Sequence, residues 1–242
     1  VNLLIDMGNS RLKWAVSEAG QLSIGKAIQN ERLNHHTLLK LWQELTPPKR
    51  VVVASVAANQ HQDTVLEVAQ SLWTDIEITQ VRSQAQGFGV TNAYLQPKKL
   101  GVDRWLALIA AKQLYHAPVC IVDCGTAITI DLLDKDGCHL GGFISAGLTL
   151  MKKSLVSGTN ALYSDNSTYP LIPAKATEAA IYGGTLYAAL GLISQISANY
   201  PDSLLILTGG DAELIAEHLN CQAIIRPNLV LRGLAVIAET EQ

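Results

Sequence analysis

The chain repeats itself, and that repeat restricts its possible folds more than any other feature. Asp6, Gly8 and Gly20 recur as Asp123, Gly125 and Gly137, at a constant offset of 117 residues. The apolar run before each aspartate matches too: Leu3-Leu4-Ile5 before the first, Cys120-Ile121-Val122 before the second. A shared register of strand, acidic turn and returning strand points to duplication of one module, and such repeats define an architecture. The chain has 242 residues. Two modules of roughly 120 residues each fit the usual domain size. The expected domains are therefore residues 1–116 and 117–242.

Each module opens as a hairpin. Leu3–Asp6 reads as a short strand, Gly8-Asn9-Ser10 as a tight turn, and Arg11–Val16 as the returning strand. A helix is expected around Leu38–Leu45, ended by Pro47-Pro48. Val51–Ala54 is a continuous apolar run, as in a strand buried on both faces. Residues 62–73 read as an amphipathic helix and Ile76–Val81 as a strand. A further helix is expected from near Gly101 to about His116, with Leu106, Ile109, Ala110 and Leu114 on one face.

The second module begins with the strand Val119–Val122. A helix is expected around Leu148–Val156, and a long one from Thr177 to about Ala198. The long helix carries Gly183, Gly184 and Gly191. Glycine costs a helix interior about 0.5–1 kcal/mol, so their clustering suggests close packing of another backbone, such as a partner helix. Leu204–Leu207 reads as a buried strand, Thr208-Gly209-Gly210-Asp211 leads into a helix, and a last helix spans about Leu229–Thr240. Strands alternating with helices argue for an α/β fold.

Composition narrows the function. Apolar residues make up 48% of the chain and charged residues 16%, ample for a buried core. The net charge of −3 carries no nucleic-acid footprint. No apolar run reaches the roughly 18–20 residues needed to span a bilayer. The opening strand lacks the basic and apolar regions of a secretory signal, so a cytoplasmic location is expected. Cys120, Cys124, Cys138 and Cys221 form no CxxC pair and are expected to be reduced, mostly buried thiols. His35-His36 reads as a solvated pair rather than a metal site.

The two acidic turns are the candidate phosphate sites. A glycine-bearing turn exposes backbone N–H groups that can cradle phosphate. Ser10 adds a hydroxyl and Lys13 a positive charge. Asp6 cannot bind phosphate without a cation, which implies a hydrated Mg²⁺ between them. Asp123, Gly125 and Thr126 offer the same chemistry from the second module. Either turn alone reads first as an ordinary hairpin turn, since Asp and Gly favour turns. Both, at equivalent places in a duplicated module, suggest two hairpins closing on a triphosphate.

That arrangement resembles the actin–hexokinase–Hsp70 superfamily, in which duplicated ribonuclease-H-like domains close over ATP with the active site in the cleft between them. Thr208-Gly209-Gly210-Asp211 resembles its adenosine segment, with Gly209 and Gly210 approaching the nucleoside. More specifically, Asp6-Met7-Gly8-Asn9-Ser10 with Lys13 resembles the first phosphate motif of type III pantothenate kinases. Tyr94 with Leu100-Gly101-Val102-Asp103-Arg104-Trp105 resembles their pantothenate and catalytic segment. Asp123-Cys124-Gly125-Thr126-Ala127 resembles their second phosphate motif, and Gly141-Gly142-Phe143-Ile144 with Gly147 the glycine segment that follows. Thr177-Glu178-Ala179-Ala180-Ile181 resembles their later substrate-contact helix. Two departures stand out: Ser10 replaces the commoner threonine but keeps the hydroxyl, and Ala146 stands where a proline is usual.

The resemblance implies ATP-dependent phosphorylation of pantothenate to 4'-phosphopantothenate, with Asp103 as general base. It implies a monovalent cation, K⁺ or NH₄⁺, held by Asp123, alongside Mg²⁺ reached by Asp6 through water. It also implies a homodimer with a shared active site, Thr177 coming from the neighbouring chain. Read without the family, Asp103 is equally a helix-start stabiliser. Arg104 either binds a substrate carboxylate or pairs with an acid, and Tyr94 either encloses substrate or fills a core gap. The rival functions are a non-catalytic nucleotide-binding regulator and another small-molecule kinase of the superfamily.

Overall fold

Strand order carries the duplication into three dimensions. The computed structural model of the chain describes residues 1–57, 59–158 and 167–240. The chain divides into two compact units, one made of Val1–Leu114, Asp136–His139 and Asn228–Gln242, the other of Tyr115–Lys135 and Leu140–Pro227.

The first unit contains β1 (Asn2–Met7), β2 (Arg11–Glu18), β3 (Gln21–Ile24), β4 (Ile28–Gln29), α1 (His35–Trp42), β5 (Arg50–Ser55), α2 (Asn59–Leu72), β6 (Glu77–Gln80), β7 (Gln86–Gly87), β8 (Val90–Thr91) and α3 (Val102–Leu114). The second contains β9 (Val119–Cys124), β10 (Ala127–Leu133), most of β11 (His139–Ala146), α4 (Leu148–Ser157), α5 (Thr177–Asn199), β12 (Leu204–Thr208), α6 (Ala212–His218) and β13 (Ile224–Ile225). The last helix, α7 (Leu229–Thr240), belongs to the first unit.

The first sheet runs β3-β2-β1-β5-β6 and the second β11-β10-β9-β12-β13. In each, the opening strand pairs antiparallel with the next strand and parallel with a later one. Side chains alternate across a strand. Leu3, Ile5 and Met7 of β1 therefore point into a core shared with Leu38 and Trp42 of α1 and Val65, Val68 and Ala69 of α2. Asp6 points to the other face. Trp42 sits in the middle of that core, edge-on to Trp14 and stacked on Trp73, each at 6.4 Å. In the second unit Cys120, Val122 and Cys124 of β9 face a core built with Tyr182, Leu186, Ile193 of α5 and Ile215 of α6.

Three expectations are corrected here. The boundary drawn at 116/117 leaves α7 in the second domain, but α7 packs on α3 and β1 in the first unit. Arg50, buried at the start of β5, ties it there: Nη2 donates to the Ala238 carbonyl in the last turn of α7, 2.8 Å away. This packing also changes α3. An amphipathic helix was expected, yet Arg104–Ala111 are all buried because α7 covers the side that would face solvent, and Leu114 is exposed. Finally, α5 is long and apolar enough by length and composition to cross a membrane, with a mean hydropathy of 1.3 over its best window. Its many alanines, with leucines and isoleucines, raise that mean, and one face, Ile181 to Ile196, is buried in the second unit's core.

Candidate active site

In the first unit the candidate residues fall into two groups. The first is the β1–β2 hairpin. Asp6 lies next to the end of β1, which is buried throughout, and is 8% exposed. Lys13 stands directly opposite it across the hairpin. Residues paired this way project from the same face, so a carboxylate and an ammonium share that edge. Gly8-Asn9-Ser10 forms the turn, closed by Gly8 N–H donating to the Arg11 carbonyl at 3.0 Å. Sequence reasoning missed Asn30. Its Nδ2 donates to the carbonyls of Gly8 (2.9 Å) and Asn9 (2.8 Å), and its N–H to that of Ser10 (3.0 Å). With those carbonyls held, the turn's shape is fixed.

The second group is the segment that leads into α3. Asp103 lies in the first turn of α3, where the positive end of the helix favours a carboxylate. Its Oδ1 accepts from Arg104 N–H at 2.8 Å. Gly101 and Val102 start the helix: the Gly101 carbonyl accepts its first bond, from Trp105 N–H, and Val102 is buried. Arg104 is 5% exposed, and Nη1 donates to the Tyr94 hydroxyl at 2.7 Å. Its guanidinium carbon lies 5.5 Å from the Tyr94 ring centre. Tyr94 N–H in turn donates to Asn92 Oδ1 at 3.0 Å. Tyr94, Arg104 and Asp103 are thus one connected set.

In the second unit Asp123, Gly125, Thr126, Gly209 and Gly210 come together at the ends of β9 and β12. Thr129 stands opposite Asp123 on β10 and Thr208 beside it on β12. Gly209 has a left-handed φ of 94°, and a Cβ there would run into the Cys124 carbonyl and Asp123 Oδ1. Only glycine allows that approach. Gly147 N–H donates to the Thr126 carbonyl at 3.0 Å and Asp211 N–H to that of Cys124 at 3.0 Å, so backbone bonds brace the turn. Gly147 leaves no room for a Cβ against Thr126. Burial pushes the Cys124 thiol well up from its ordinary pKa, and the Asp123 and Asp211 carboxylates push it further. The field at this turn is therefore negative. Thr177 is exposed at the start of α5 and makes no hydrogen bond to this group.

Among the described residues no three His, Cys, Asp or Glu side chains gather at one point. The donor set still fits hard cations. A single carboxylate such as Asp6, with water completing the shell, is a usual partner of Mg²⁺, and Asp123 beside backbone carbonyls offers oxygen donors to a second cation.

The fold has well-matched relatives among solved structures. A Baf family transcriptional activator from Campylobacter jejuni superimposes with a TM-score of 0.62 at 23% identity, covering 99% of this chain and 98% of that one. The activator of 2-hydroxyisocaproyl-CoA dehydratase from Clostridium difficile, solved with ADPNP, gives 0.55 at 16% identity over 99% and 94%. Two sheets of the same order, each opened by an acidic hairpin, make this an actin-like ATPase fold of duplicated ribonuclease-H-like units. Within that class the profile of the type III pantothenate kinases matches residues 2–199. A type III pantothenate kinase of Nitrosococcus oceani is 38% identical, covering 98% of this chain and 93% of its own. That of Dechloromonas aromatica is 36% identical over 97% of both. The chain belongs to the type III pantothenate kinase family.

Proposed function

We propose that the chain transfers the γ-phosphoryl group of ATP to the primary hydroxyl of pantothenate, giving 4'-phosphopantothenate in the first step towards coenzyme A. The observation that carries this reading is the connected set Asp103–Arg104–Tyr94 at the start of α3. Asp103 accepts the proton of the attacking alcohol. The bond from Arg104 N–H fixes the carboxylate's rotamer, so a helix-start role and a base role are compatible. Phosphoryl transfer is loose, and positioning outweighs base strength. Arg104 is buried with one bond to the Tyr94 hydroxyl, and the planar fork of a guanidinium suits a bidentate grip on the pantothenate carboxylate. Tyr94, Gly101 and Val102 complete that pocket.

Asp6, Gly8, Asn9, Ser10 and Lys13 bind the phosphates from the first hairpin, and Gly125 and Thr126 from the second. Gly209 and Gly210 receive the nucleoside. Mg²⁺, held through water by Asp6, supplies charge neutralisation on the phosphates, and Asp123 holds K⁺ or NH₄⁺. ATP as substrate implies a cytoplasmic enzyme acting on small molecules, with neither nucleic acid nor membrane as partner.

The same reading includes a homodimer. Gly184 and Gly191 lie on the exposed face of α5, and a Cβ at either would meet no atom of the described residues. That openness favours a partner helix over packing on the chain's own sheet. Tyr187, on the same face, is 56% exposed. Small residues on an apolar face suit close helix approach, and twofold dimers are the commonest closed assembly. Thr177 then reaches the neighbouring chain's pocket. Mixing Asp103→Asn chains with Thr177→Ala chains should restore activity through one intact composite site; a fully active monomer rules that out.

The deciding assay is ADP release by the purified chain with ATP, Mg²⁺ and K⁺, with and without pantothenate. Pantothenate-dependent turnover is expected. Nucleotide binding without turnover would indicate a regulator instead, and turnover with a different alcohol another kinase of this fold.

A further inference from the structure

His139 drew no attention in the sequence, yet it is 4% exposed and lies against the proposed pantothenate segment. It ends the short stretch Asp136–His139 that belongs to the first unit. That stretch is stitched to the strand before Tyr94. Thr91 N–H donates to the Gly137 carbonyl at 2.9 Å, and Thr91 and Cys138 form a parallel bridge. The His139 ring then stacks on Tyr94, with centres 6.2 Å apart and planes 14° from parallel. Ala93 N–H donates to its Nδ1 at 3.4 Å.

Tyr94 is thereby held at three places: its N–H by Asn92, its hydroxyl by Arg104 and its ring face by His139. The ring of His139 both stacks and accepts from backbone. Phenylalanine would only stack, and asparagine would only accept. A core-filling residue needs neither property.

We propose that His139 is a positioning residue for substrate selection: it fixes the Tyr94 ring and the Ala93 backbone so that Tyr94 presents one surface to the acceptor. The inference rests on the reading of Tyr94 as a wall of the pantothenate pocket. Losing a parallel ring contact and one hydrogen bond corresponds to roughly a five- to thirtyfold effect on binding. His139→Ala should raise the KM for pantothenate by about that factor. The KM for ATP should stay put, and kcat should change less than about twofold, since uniform binding is what is lost.

His139→Phe and His139→Asn should each recover part of the loss, one through the ring and one through the acceptor. The double variant Tyr94→Ala/His139→Ala should be no worse for pantothenate than Tyr94→Ala alone, because His139 acts only through Tyr94. Additive losses in that pair overturn the proposal. So does an unchanged pantothenate KM in His139→Ala when Tyr94→Ala raises it, and so does a loss spread equally over both substrates and kcat. If His139→Ala fails to fold, the Phe and Asn variants decide: wild-type pantothenate KM in both overturns it. An unchanged pantothenate KM in Tyr94→Ala overturns the pocket reading itself, a distinct result.

Discussion

Across the first hairpin Asp6 faces Lys13, whereas across the second Asp123 faces Thr129. The first turn has three residues between its strands and is braced by the Asn30 side chain; the second has two and is braced by backbone from Gly147 and Asp211. One residue fewer moves the returning strand by one position, and the lysine's place passes to a threonine. The first hairpin carries its own positive charge beside its carboxylate. The second is an aspartate among hydroxyls, carbonyls and a further carboxylate, an environment that suits a bound cation. A duplicated module has thus diverged in charge while keeping its backbone plan. Under the proposed function, the first hairpin's charge serves phosphate contact and the second hairpin's serves a cation.

The largest expected effect falls on the chemistry. Asp103→Asn should fold and bind ATP but lose roughly 10²–10⁴-fold in kcat, the usual scale for a general base. Steady-state kinetics and a nucleotide-binding titration on the same preparation check it. Near-wild-type turnover would move the base elsewhere and leave the first unit without its assigned role.

The two hairpins can be separated by a pair of variants. Lys13→Ala removes a charge-assisted contact to phosphate and should raise the KM for ATP about ten- to a hundredfold, while keeping the preference for K⁺ or NH₄⁺ over Na⁺. Asp123→Asn should do the reverse. Wild-type activity should rise severalfold when Na⁺ is replaced by K⁺, a modest electrostatic effect, and the variant should lose that difference. Equal rates in all three salts for the wild type would remove the cation from the second hairpin, and a lost salt preference in Lys13→Ala would merge the two roles.

The offset of 117 made both turns legible, because aspartate and glycine mark turns by their own conformational preferences. The shortened second turn was legible too, though the match at Gly20 and Gly137 concealed it. The buried alternation Leu12, Trp14 returns as Ile128, Ile130, one position early. The longer turn before Gly137 restores the offset. Asp103, Arg104 and Tyr94 were visible as a motif, but the bond between Arg104 and the tyrosine hydroxyl was not. Asn30, His139 and α7 left no readable mark. Each acts on residues far away in sequence, 21 to 22 positions for Asn30 and 46 for the bond from Ala93 to His139. A lone polar residue or a short apolar helix carries no address for such a partner. The cysteines were only half legible: two of the four are buried and two exposed.

Those cysteines extend the comparison to the strands beneath the turns, with the smallest effect. Where β1 has Leu3 and Met7, β9 has Cys120 and Cys124 at the same offset. The thiols serve as small apolar side chains in the second core. Burial, with Asp131 and Cys221 adding to it, pushes Cys120 from 9.0 up to about 12. The reactive species is the thiolate. A thiol-modifying reagent at pH 8 should therefore label Cys138 and Cys221 in the folded chain and all four only after denaturation. Mass spectrometry of the labelled peptides reads this directly. The same shift affects stability. Below pH 9 Cys120 is protonated in both states and its contribution is constant. Between about pH 9 and 12 the unfolded chain gives up the proton and the folded chain keeps it, so the unfolded state binds fewer protons and stability falls as pH rises. The urea midpoint should accordingly drop from pH 8 to pH 10, and drop less in Cys120→Val, which keeps the packing without the proton. Equal labelling of all four thiols in the folded chain would mean that β9 opens readily, and that the second hairpin rests on a looser strand than the first.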